Sequence, residues 1–86
     1  MNIFWRESPA GAELVQASDE APKDEKVLGA VEVAHGYCFP WAINGFGNAI
    51  HLVCRFSEHI ENSKADVVLY LTEKGILPKP EPTVEA

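Results

Sequence analysis

Apolar and polar residues alternate with a period of two through much of the first half of the chain and change to a helical period near its C-terminal end. Residues 27–35 form the clearest strand: Val27, Val31 and Val33 fall on one face, and Gly29 marks a bulge or a point of close approach. Two shorter strand candidates, residues 3–6 and 13–16, flank the turn-forming run Ser8-Pro9-Ala10-Gly11. His35-Gly36 permits a turn into residues 37–43, a compact aromatic segment whose Pro40 has no N–H for the ladder. That segment is expected at a sheet edge, or with the missing donor of Pro40 turned away from its neighbours.

Residues 49–60 fit two templates. As a strand, Ile50, Leu52, Cys54 and Phe56 alternate inward while His51 and Arg55 point outward. As a helix capped by Asn48, residues Ala49, Leu52, Val53, Phe56 and Ile60 form an i, i+3, i+4 stripe. The strand is preferred, because the loop 44–48 with Gly45 and Gly47 suits a hairpin. The last element is a helix. Ser63-Lys64-Ala65-Asp66 resembles a capping box with Asp in place of Glu, and Ala65, Val68, Leu69 and Thr72 share a face that Val67 and Leu71 widen. Gly75 stands at the position after the C-cap and Ile76 follows as its apolar companion.

The pattern predicts an α+β fold: a small antiparallel meander of three or four strands with one C-terminal helix across it. Residues 1–77 are expected to form a single domain, with a polar surface loop at 18–26 and a proline-rich tail at 78–86.

Charge changes the picture more than size does. Thirteen Asp and Glu face seven Lys and Arg over 86 residues, a net charge of −6. Counterion release cannot draw such a surface to nucleic acid, and anionic lipid repels it. Direct contact with nucleic acid or membrane is not expected; a protein partner with a basic surface is. The first residues lack the basic start and long apolar run of a secretion signal, so cytoplasmic residence is expected. A monomer or weak homodimer is expected, with no cofactor.

Candidate chemistry centres on residues 37–56. A hairpin symmetric about Phe46 puts Cys38 opposite Cys54, where a disulfide or two reduced core thiols are the alternatives. His35, Cys38, Cys54 and His59 form a loose set of zinc-type ligands, though His35 and Cys38 fall on opposite faces of an unbroken strand. A zinc-stabilised mini-domain is therefore an alternative reading, and a self-assembling component is another. Nothing in the sequence activates either thiol and no phosphate-binding loop is present, so no catalysis is expected.

Aromatic residues and carboxylates supply the preferred reading. Tyr37, Trp41 and Phe46 are candidate contact residues, since Trp and Tyr are common interface anchors and Phe46 sits between two glycines at a loop tip. Asp66 and Glu73 lie about 20° apart around the helix, two turns apart, with Glu58 and Glu61 upstream. In size, charge and layout the chain is similar to small acidic inhibitors of phages and mobile elements, such as anti-CRISPR and anti-restriction proteins. That likeness implies a module that blocks a nucleic-acid-binding host complex by imitating a row of phosphates.

Overall fold

The computed structural model describes residues 2–18 and 24–78. Six strands form one antiparallel sheet: β1 (Asn2–Ser8), β2 (Gly11–Ala17), β3 (Glu25–Ala34), β4 (Tyr37–Ile43), β5 (Ala49–His51) and β6 (Arg55–Phe56). The order is β1-β2-β3-β4-β5, with β6 pairing beside β5 on the same edge of β4. A single 3₁₀ turn, Ser57–His59, leads into one helix, α1 (Ile60–Glu73). The expected α+β architecture is present, with more strands than the three or four expected. The strands at 3–6 and 13–16 both extend to seven residues, and the segment after Asn48 divides into two strands. β3 starts at Glu25, inside the stretch expected as loop; residues 19–23 of that stretch and 79–86 of the tail lie outside the described residues.

Local chemistry accounts for each turn. Pro9 and Ala10 join β1 to β2, and the Gly11 N–H donates to Ser8 Oγ at 3.2 Å. His35 (φ 53°) and Gly36 (φ 79°) join β3 to β4 as a two-residue hairpin with both central residues left-handed, the type I′ pattern whose twist matches that of the strands. In the next loop Asn44 Oδ1 accepts from the N–H groups of Phe46 (2.8 Å) and Asn48 (3.0 Å). This Asx arrangement fixes the tip.

The register is symmetric about Phe46 from Trp41↔His51 to Ile43↔Ala49, as expected. It then slips by one residue, so that Cys38 opposes Arg55 and Tyr37 opposes Phe56. The cause lies in Pro40. Its carbonyl accepts from Leu52 N–H at 2.9 Å, so its nitrogen, which carries no hydrogen, faces the same neighbour. With no donor to receive there, pairing breaks over residues 52–54 and resumes one residue out of step. Pro40 therefore sits in the sheet interior, fully buried, with its missing donor facing the break rather than solvent.

The helix packs on the face carrying Leu14, Gly29, Val31, Cys38 and Ala42, and Val67, Leu71 and Leu77 complete the core with Leu28. Gly29 is the point of close approach expected of it, and it borders a bulge. Leu28 beside it is the extra residue of a bulge, since Leu14 pairs with Gly29 and Val15 with Val27. A β-carbon at position 29 would lie 2.6 Å from Val67 Cγ1, so only glycine admits the helix this close.

Two expectations for α1 are corrected. The helix starts at Ile60, and Ser63 is wholly buried inside its first turn instead of capping it. The inward face is built on Ser63, Val67 and Leu71, with Ile60 and Tyr70 at its margins, while Ala65, Val68 and Leu69 turn outward. The end is as expected. Gly75 adopts φ 76°, its N–H donates to the Thr72 carbonyl at 3.1 Å, and Ile76 N–H donates to that of Leu71 at 2.9 Å. This is a Schellman cap.

Candidate partner-binding surface

Side chains paired across an antiparallel ladder share a face, so the register assigns every strand residue to the helix side or the other. On the side away from α1 lie Phe4, Arg6, Glu13, Glu32, Tyr37, Phe39, Trp41, His51 and Phe56. Among the described residues, no second layer lies over this face. Tyr37 and Phe56 stack at 5.4 Å between ring centroids with 26° between their planes, a favourable offset geometry. Phe39 continues the row along β4, next to Glu32 on β3. All three rings are exposed, Phe56 most at 59%. Further across the sheet, Arg6 pairs with Glu13 and Glu25, the latter at 2.5 Å. Glu32 is exposed and makes no ion pair with another described residue.

The register slip completes this surface. Had the symmetry about Phe46 persisted, Phe56 would have lain on the helix side. After the slip it joins Tyr37 on the open face, and Arg55 turns toward the helix. There Arg55 grips Asp66 through Nε at 2.7 Å and Nη2 at 3.2 Å. The hydrogen bond and the charge of Asp66 raise the Arg55 pKa above its ordinary value, so the guanidinium remains a permanent cation.

The residues expected to make contact separate into three places. Tyr37 and the half-buried Trp41 lie on the open sheet face, and Trp41 also packs against the core. Phe46 stands at the hairpin tip, 91% exposed on a loop held by Asn44. The carboxylates lie on or before α1: Asp66 is engaged by Arg55, Glu61 faces Lys64 at 3.6 Å, Glu58 faces His59 at 3.6 Å, and Glu73 is exposed. The aromatics of the sheet and the acids of the helix thus occupy opposite sides. Phe39 shares the period-two face of Tyr37 and Trp41, whereas Phe56 escapes a reading by alternation, and the one signal for it is the register break that Pro40 imposes.

The zinc-type set is not assembled. Cys38 is buried on the helix side and donates to the Phe56 carbonyl at 3.7 Å, whereas Cys54 is exposed in the break between β5 and β6. His35 occupies the β3–β4 turn and His59 the start of α1. Among the described residues no three His, Cys, Asp or Glu side chains converge as a metal site requires. The two cysteines are free, and Arg55 occupies the place opposite Cys38 that symmetry assigned to Cys54.

Two open grooves flank α1. One of about 550 Å³ lies over His51, Leu52, Arg55 and Tyr70; the other, about 650 Å³, runs between Trp5 and the outer flank of the helix at Ala65, Val68 and Thr72. Lys64 Nζ lies 5.5 Å from the centre of the Trp5 ring, a cation–π contact. No described helix is long and apolar enough to cross a membrane. Comparison with known protein families, curated proteins and solved structures finds no match.

Proposed function

We propose that this protein is a cytoplasmic binding module that acts by contact with another protein, without catalysis or cofactor. The observation that supports this reading best is the row Tyr37, Phe56 and Phe39, exposed on a sheet face with no described layer over it. Aromatic rings at low conformational cost are the usual anchors of an interface. A net charge of −6 favours a partner with a basic surface and speeds the encounter. Blocking a nucleic-acid-binding host complex is the specific form of this activity that size and charge favour. Phe46 is a further exposed ring at the hairpin tip, and Glu32 supplies a carboxylate beside Phe39.

Capture from a lysate of cells that make the protein tests the proposal, comparing the wild-type chain with Phe39→Ala and Phe56→Ala. A partner retained by wild type and released by both variants, with their melting curves unchanged, is the expected result. Binding should also weaken steeply as salt rises. Retention of the same partner by both variants at every salt concentration would refute it.

A further inference from the structure

We propose that the protein forms a symmetric homodimer through its free β1 edge. The two edges of the sheet are treated differently. On the β5–β6 side the strands are three and two residues long and are separated by the Pro40-induced break. That is how natural sheets blunt an edge. The β1 side has no such protection. Its seven residues pair with β2 without a register shift, contain no proline and no lysine, and have no neighbour on the other side among the described residues. A row of unpaired backbone donors and acceptors of this length is a template for another strand.

The sequence of β1 suits a second copy of itself. An antiparallel β1–β1 pair that uses all seven residues has Trp5, the midpoint, opposite its own copy. The two-fold axis then stands perpendicular to the sheet, and both helices lie on one side. In this register Phe4 opposes Arg6 and Ile3 opposes Glu7, so neither charge meets its like. Moving the centre to Arg6 would oppose two arginines, which like-charge pairing disfavours. Trp5 also walls the larger groove beside α1. A neighbouring β1 brings a second Ile3 and Trp5 to the open side of that groove, extending its apolar floor. This surface is distinct from the aromatic row of the proposed partner interface, so the two are separable.

Sedimentation across a wide concentration range, at low and high salt, reads the oligomeric state. A concentration-dependent dimer that salt does not weaken is expected, because two chains of net charge −6 repel until screened. Phe4→Lys, which opposes cations across the pair, should weaken the dimer about tenfold or more. A second test does not depend on that variant folding well. In a Cys54→Ser background, Ile3→Cys and Glu7→Cys chains mixed and oxidised should yield a covalent heterodimer, and neither should cross-link alone. A monomer at every concentration, a dimer dissolved by Phe39→Ala but not by Phe4→Lys, or no preference for the mixed cross-link would overturn the assignment.

Discussion

Val67 of α1 sits directly over Gly29 of β3, its Cγ1 2.6 Å from the place a β-carbon on residue 29 would take. The Trp41 carbonyl lies 2.7 Å from the same point. One side of that space is therefore a side chain and the other is backbone, and the backbone cannot give way. Gly29→Ala should destabilise the fold by about 1–3 kcal/mol, the usual cost of forcing a methyl into a packed core. Chemical denaturation measures it. Adding Val67→Ala should recover only part of the loss, and a cost near zero for Gly29→Ala would show that the helix does not dock as closely as described.

Ser63 separates the two accounts of where the helix begins. If it were the N-cap, Ser63→Ala would cost about 0.5–2 kcal/mol. In the fold its Oγ is buried without a hydrogen-bond partner among the described residues. Removing an unsatisfied hydroxyl and placing the best helix former there should instead stabilise by about 1 kcal/mol. The sign of the change in melting temperature decides between them.

The cysteines should differ sharply in reactivity. Cys54 is exposed and Cys38 is buried, and the register keeps them from facing each other. One thiol per chain should react with a water-soluble reagent under native conditions, and the second only after unfolding. Mass spectrometry should place the first adduct on Cys54. An intramolecular disulfide formed readily in air would contradict the slipped register.

Gly75 and Gly45 make a matched pair, since a β-carbon at either meets nothing within 4 Å. Only Gly75 is left-handed, at φ 76°. Gly75→Ala should therefore cost about 1 kcal/mol through backbone strain alone. Gly45→Ala should be neutral or stabilise by about 0.4–1 kcal/mol through a less flexible unfolded chain. Equal effects at the two sites would sink this explanation.

Loss of the Arg55–Asp66 contact tests how the last strand is tied to the helix. Arg55→Met keeps the apolar stem of the side chain and removes both hydrogen bonds to Asp66. It should lower the melting temperature and leave Cys38 protected from thiol reagents, because the core beneath it is unchanged. Exposure of Cys38 would mean that the ion pair alone holds β6 in place.

Features set by neighbours along the chain were legible without a structure. The turn at His35-Gly36, the Gly75 cap and the symmetry of the hairpin about Phe46 as far as Trp41 and His51 each depend on a few nearby residues. So does the net charge, which needs no geometry. Where α1 turns its apolar sides is different in kind. Val67, Val68, Leu69 and Leu71 give it apolar residues on several sides, so periodicity offers no single inward direction. The space left at Gly29 admits Val67, and Gly29 faces the helix only through its pairing with Leu14 and Ala42 in neighbouring strands.

The same holds for the candidate surface. Alternation through residues 50–56 assigned Phe56 to the core, because periodicity assumes an uninterrupted ladder. Pro40 breaks that ladder from the strand opposite, through a donor it lacks, and one residue of slip reverses every side chain beyond the break. Short-range chemistry determined which elements this chain makes. Only the pairing of strands distant in sequence decided which rings face solvent, because a side chain's face is a property of the ladder that holds it.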